Sequence, residues 1–228
     1  MPLEYHYPWA FHLDAGRIQS YDLNERMIAR PADTKTKILD AAEKLFGKNG
    51  FDATSLRDIT AEADVNLAAV NYHFQSKDSL IDAVIARRVE PVNQKRLEML
   101  ELAGPNPTVE QILIAFLYPI MQADLASVFP LMARILATPD AFVTRLFKKY
   151  LVVTAETFSD ALSRAVPHVS RSEIIWRLHF TGGAMAHVLS RAIAMQELMP
   201  GAAKFDQPTV LAQLVTFAAA GFRAKEGI

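Results

Sequence analysis

The chain has no cysteine. A disulfide framework and a thiolate metal site are therefore excluded, and the composition fits a reducing compartment. It also lacks any uncharged apolar stretch of the roughly 18–20 residues needed to span a bilayer. No basic segment followed by an apolar run opens the N-terminus, so no signal peptide is read there. Charge of one sign is missing too: 24 Lys and Arg against 25 Asp and Glu leave a net charge of −1. Metal-ligand spacings such as H-x-x-x-H, a Gly-rich phosphate loop and a nucleophile motif do not occur. Convincing strand alternation and internal repeats are absent as well. These absences predict a soluble, cytoplasmic, all-α protein with no membrane contact, no catalytic residues, no metal and no cofactor.

Hydrophobic residues make up 51% of the 228 and charged ones 21%, which makes the chain globular rather than disordered. The length suits one large domain or two small ones. Residues 1–26 hold Tyr5, Tyr7, Trp9, Phe11 and Tyr21 without sustained periodicity. They read as an N-terminal extension that is disordered or docks through its aromatics, unless Met27 is the true start. From Asp33 the pattern becomes orderly. Asp33 or Thr34 can cap a helix in which Ile38, Leu39, Ala42, Leu45 and Phe46 share a face, ending at Gly47 or Gly50 with Gly50 in the left-handed position.

The stretch from Thr54 to Lys77, TSLRDITAEADVNLAAVNYHFQSK, is the most informative. Thr54 or Ser55 can cap a short helix with Leu56, Ile59 and Ala63 on one face. Asp64-Val65-Asn66 breaks it, and Asn66 can cap a second helix that turns Ala69, Val70 and Phe74 inward. Two short helices joined by so brief a turn predict a helix-turn-helix, whose second helix can enter the DNA major groove. The three helices make a head of about 45 residues, too small to be very stable alone. Charge argues mildly against DNA, since residues 27–95 hold ten basic and ten acidic residues. Placement can outweigh the sum if Arg30, Lys35, Lys37, Arg57 and Lys77 gather on one side while Asp40, Glu43, Glu62 and Asp82 face away.

Ser76 caps a long fourth helix, with Leu80, Ile81, Val84 and Ile85 toward the head and Leu97, Leu100 and Leu102 toward the later part of the chain. Pro91 is expected to kink or interrupt it. Beyond the breaker Gly104-Pro105-Asn106-Pro107, helical patterns cover residues 108–124, 127–138, 140–165, 170–197 and 207–225. The last two are rich in small residues, Thr181-Gly182-Gly183-Ala184 and Ala218-Ala219-Ala220-Gly221, which allows close approach to a symmetry mate. The expected division is an extension over 1–26, a helix-turn-helix head over 27–78 and an all-helical body over 79–228.

The blocks ILDAAEKLFGKNGF, TSLRDITAEADV and YHF-x-SK-x-x-L, in that order between about Lys35 and Ile85, resemble the TetR/AcrR family of bacterial regulators. The resemblance implies a homodimeric repressor of a (pseudo)palindromic double-stranded DNA operator, dimerised through the last two long helices. Release would follow when a small apolar or amphipathic effector enters the body. Thr54, Ser55, Tyr72, His73 and Lys77 match family positions that commonly touch the DNA backbone. Where many members have Gly or Pro and then Tyr, this chain has Ala68-Ala69 and Asn71, so base preference does not transfer.

From their own chemistry, Asn71 can bond adenine bidentately and Arg57 can reach a guanine edge or a phosphate. Leu67, Ala68 and Ala69 can meet thymine methyls or simply let the helix approach. The plainer readings are a solvent-facing Asn71, a surface ion pair of Arg57 with Asp58 or Glu62, capping by Thr54, Ser55 and Asn66, and a core role for His73. Candidates for an effector pocket are Phe116, Met121, Phe129, Met132, Phe147, Tyr150, Trp176, Phe180 and His187, each alternatively ordinary core or interface. The rival function is an all-helical small-molecule binding protein or enzyme whose head does not bind DNA.

Overall fold

The computed structural model describes residues 33–122, 141–198 and 206–225. The extension at 1–26, the first residues of the head and the helical pattern at 127–138 lie outside them. Every regular element among the described residues is a helix.

Helix α1 spans Thr34–Asn49 and buries Ile38, Ala41, Ala42 and Phe46 along one face. Asp33 stands at its N-cap position but makes no side-chain cap bond. Gly50 ends the helix at φ 90° and ψ 169°. That is not the expected left-handed cap but a region open essentially to glycine alone. Helix α2, Leu56–Ala63, starts in a reciprocal capping box of Ser55 with Asp58 and stops where Asp64 adopts a left-handed conformation. Helix α3, Leu67–Phe74, begins at Asn66, whose side chain accepts the Ala69 amide at 2.9 Å. Ile59, Ala63, Val70 and Phe74 close on α1 and make one small core.

Helix α4 runs unbroken from Lys77 to Leu102 with Pro91 inside it. Of the two expected effects of Pro91, a kink or an interruption, the interruption does not occur. Leu80, Ile81, Val84 and Ile85 of its first half belong to the head core, while Leu97 and Leu100 pack on the body. Leu102 is exposed instead.

Helix α5, Val109–Met121, is capped by Thr108 with Gln111 and is buried around much of its circumference. Helices α6 (Ala141–Ala165), α7 (Arg171–Leu198) and α8 (Gln207–Arg223) complete the described body. Phe158, Leu162, Ile174 and Phe222 join α5 in a second core. Arg177 of α7 donates to the Gly221, Phe222 and Ala224 carbonyls, placing a cation at the negative end of α8. Among the described residues, no helix is long and apolar enough to cross a membrane.

Candidate nucleic-acid interface

The two sides of α3 divide cleanly. Val70 and Phe74 are buried, while Asn66, Leu67, Ala68, Asn71 and Tyr72 are exposed, Tyr72 by 83%. Spacings of three and four residues set Ala68, Asn71, Tyr72 and Gln75 along one outward row. Ala69 is half-buried against the head core. His73 is also half-buried, edge-on to Tyr72 with ring centroids 5.1 Å apart. Lys77 opens α4 beside this row, and its Nζ lies 3.5 Å from the Asp52 carbonyl.

On α2, Ser55 is exposed, and its Oγ and amide both meet the Asp58 carboxylate, at 2.6 and 2.8 Å. Those bonds hold the Asp58 carboxyl below the usual carboxylate range. Arg57 is exposed next to it, and neither expected acid engages it, since Asp58 serves the cap and Glu62 pairs with Lys44 at 2.5 Å. Thr54 requires a correction. It is fully buried, and its hydroxyl donates to the Gly50 carbonyl at 2.8 Å. A side chain so enclosed ties α1 to α2 and has no surface to offer a phosphate.

Part of the balanced charge of the head resolves into pairs. Glu43, almost fully buried, receives Arg87 and also Arg88 of α4, the latter at 2.6 Å, while Asp40 receives Arg87 at 2.6 Å. Desolvation works against the Arg87 charge, but the two carboxylates outweigh it and the guanidinium is held above its ordinary value. Asp82 receives Lys149 of α6 at 2.6 Å. Among the described residues these acids are engaged by partners on α1, α4 and α6 rather than by Arg57 or Lys77. Sequence reasoning missed this clamp because its members lie 44–47 positions apart. The Arg87-Arg88 doublet inside an apolar stripe was the one available signal.

The proposed pocket residues scatter. Phe116 lies against Phe158, ring centroids 5.3 Å apart, and Met121 is buried. Tyr150 sits in the head core, not the body. Trp176 and Phe180 stack on each other at 5.8 Å on an exposed face of α7, and His187 is exposed too. Phe129, Met132 and the side chain of Phe147 lie outside the described residues. An open cleft of about 360 Å³, floored by Leu97, Leu100, Pro105, Pro107 and Ala161, includes none of these candidates. No group of three or more His, Cys, Asp or Glu among the described residues could hold a metal ion.

Comparison with known proteins adds the lineage. Residues 38–84 match the family described as bacterial regulatory proteins, tetR family, and residues 115–221 match the tetracyclin repressor-like C-terminal domain. The chain is 32% identical over 94 residues to the HTH-type transcriptional repressor BepR of Brucella suis, covering 40% of this chain and 45% of that protein. It is 31% identical over 77 residues to the HTH-type transcriptional regulator UidR of Escherichia coli, covering 34% of this chain and 39% of that one. The chain thus spans less than half the length of these relatives.

Among solved structures, AmtR of Mycobacterium smegmatis aligns with a TM-score of 0.60 at 17% identity, over 89% of this chain and 91% of that one. The fatty acid degradation regulator FadR of Bacillus halodurans aligns with a TM-score of 0.63 at 14% identity, over 86% and 100%. At such identities the likeness is one of fold.

Proposed function

Because the chain belongs to the TetR family of bacterial regulatory proteins, we propose that it is a transcriptional repressor that binds a (pseudo)palindromic operator as a homodimer in the cytoplasm. The observation that carries this reading is the outward row of α3. Asn71 and Tyr72 face solvent beside the small Ala68, Arg57 is exposed at the start of α2 and Lys77 opens α4, while Asp40, Glu43, Glu62 and Asp82 are held by Arg87, Arg88, Lys44 and Lys149. Asn71 reads a base edge; Arg57 reads a base edge or a phosphate; Ser55, Tyr72, His73 and Lys77 hold the backbone. Asn66, Leu67 and Ala69 shape the approach, and Thr54 acts only through the fold.

The head extends over 27–78 and the body over 79–228, joined by α4. The second copy docks on α7 and α8, where Ile175, Trp176, Phe180 and Phe217 are all more than half exposed. A Cβ added at Gly183 or Gly221 would meet nothing within 4 Å inside this chain. Glycine in a helix interior costs about 0.5–1 kcal/mol against alanine, so its use there fits close approach by another molecule. A small effector entering the body favours a dimer whose recognition helices no longer sit one DNA turn, about 34–36 Å, apart.

A gel-shift with DNA from upstream of the protein's own coding region tests the reading. Wild type retards it in a salt-sensitive way, and the double variant Asn71→Ala/Lys77→Ala binds weakly. Equal retardation by both proteins defeats the assigned interface.

A further inference from the structure

Arg96 is buried between α4 and α5, only 6% exposed. Its Nε donates to the Phe116 carbonyl at 2.7 Å and one Nη donates to the Asn93 Oδ1 at 3.2 Å. The guanidinium carbon stands 4.4 Å from the centre of the Phe116 ring. No carboxylate among the described residues pairs with it. Burial pulls its pKa down to about 10, so the group still carries its charge at neutral pH.

A buried charge without a counter-charge is costly, and proteins ordinarily pair such a group or bind an ion to it. Here two of the five guanidinium donors meet described protein acceptors, which leaves the fork geometry only partly used. The surroundings are otherwise apolar and aromatic, with Phe116 tilted against Phe158 and the body core beyond. A single cation in such a setting complements a single negative charge on an apolar molecule. A phosphate dianion would leave net charge buried, so carboxylate is the better match.

We propose that Arg96 receives the carboxylate of an amphipathic organic acid that acts as the effector of the body. The inference rests on the reading of the body as an effector-binding unit. The same side chain also connects to the head. The Asn93 amide that Arg96 contacts donates to the Tyr150 carbonyl at 2.6 Å, and Tyr150 lies in the head core. A carboxylate that draws Arg96 off Asn93 disturbs a hydrogen-bonded path ending at Asp82 in the first half of α4.

A plainer role competes. Pro119 removes the donor for the neighbouring Ala115 carbonyl and disturbs α5 there, and Arg96 would then serve only to brace the adjacent Phe116 carbonyl. Thermal-shift titrations of the full chain separate the two. Octanoate and 4-phenylbutyrate are compared with octanol and 4-phenylbutan-1-ol, first in wild type, then in Arg96→Met and Arg96→Lys. The expected result is that acids raise the melting temperature of wild type at lower concentration than the matched alcohols. Arg96→Met erases that preference by about tenfold or more in apparent affinity, and Arg96→Lys keeps part of it.

Equal responses to acid and alcohol in wild type overturn the proposal even if Arg96→Met does not fold. An acid preference that survives in Arg96→Met overturns it as well. The same acids are added to the gel-shift. Acid-selective, Arg96-dependent binding by a protein that retards no DNA defeats the regulator reading and leaves the carboxylate site standing. DNA binding without acid selectivity defeats only the carboxylate site.

Discussion

The Tyr150 hydroxyl on α6 donates to the Asp82 carboxylate on α4 at 2.9 Å, and Lys149 reaches the other carboxylate oxygen at 2.6 Å. With Leu146, Tyr150 closes the head core from outside the head sequence. Burial pushes the phenol above its ordinary pKa, so it remains a donor well beyond neutral pH.

This contact makes the head dependent on the body. Tyr150→Phe keeps the ring and deletes a hydrogen bond to a charged, partly buried acceptor, at a cost of about 1–2 kcal/mol. Asp82→Asn costs a similar amount, and the double variant costs less than the sum because the two residues share one interaction. Urea denaturation of the four proteins measures the coupling. Strict additivity would mean that the bond contributes nothing.

Thr54 and Ser55 separate by the same logic. Thr54→Val leaves the buried volume nearly unchanged but loses the bond to the Gly50 carbonyl, costing about 1–2 kcal/mol of stability. DNA affinity of the folded protein stays the same, because no exposed group has changed. Ser55→Ala removes a cap worth about 1 kcal/mol and also an exposed hydroxyl, so stability and DNA affinity fall together. Melting curves and gel-shifts on both variants check the contrast; weak DNA binding by Thr54→Val would restore that residue to the interface.

These residues also mark how far the sequence could be read. Ser55 and Asn66 were legible as caps because capping depends on atoms three residues away. Periodicity placed Ile59, Ala63, Val70 and Phe74 inward for the same local reason. Which of two adjacent hydroxyls caps and which is buried depends on where α1 ends, and periodicity does not encode that. Tyr150 looked like a pocket aromatic because its partner Asp82 is 68 positions away. The head's charge count did not show how its charges pair for a similar reason, since Glu43 and Asp40 meet arginines 44–47 positions away.

The dimer contact is predicted to depend on the exposed aromatics of α7 and α8. Phe217 is 75% exposed and Phe180 is 62% exposed, so charged substitutions there cost the isolated chain little. Phe180→Glu/Phe217→Glu is expected to sediment as a monomer at micromolar concentration, where wild type sediments as a dimer. Its helical circular dichroism stays unchanged. A double variant that remains dimeric would move the interface elsewhere.

Acid should loosen the far end of the body. Glu110 on α5 meets Arg223 at the end of α8 through two contacts of 2.6 and 2.7 Å, and that partner holds its carboxyl below the usual range. The folded value lies below the unfolded one, so the pair's stabilisation is fully present above the unfolded Glu value of about 4.3. It is lost as pH falls through the folded value. Both side chains are more than a third exposed, which limits the effect to about 1 kcal/mol or less. Wild type and Glu110→Gln should therefore differ slightly in melting temperature at pH 7 and converge in acid. A gap that widens on acidification would reverse the assigned sign.

The joint between α3 and α4 stores strain at Gln75. Its φ is 63° and its ψ −39°, and the Ser76 amide bonds the Phe74 carbonyl across it at 2.7 Å. A γ-turn of this hand is rare and strained for a residue with a side chain, at a cost of about 1–3 kcal/mol. Glycine would remove most of that while adding about 0.5–1 kcal/mol of unfolded-state entropy cost. Gln75→Gly is thus expected to stabilise the protein by about 1 kcal/mol, or roughly 2–4 °C in melting temperature for a chain of this size. Gln75→Val is expected to destabilise it, because a β-branched residue tolerates positive φ least. The same turn fixes the angle between the recognition helix and α4, so the freer glycine joint should weaken DNA binding while the melt rises. A glycine variant that melts lower than wild type would show that the turn is not strained, and one that melts higher with undiminished DNA affinity would show that its rigidity is not used.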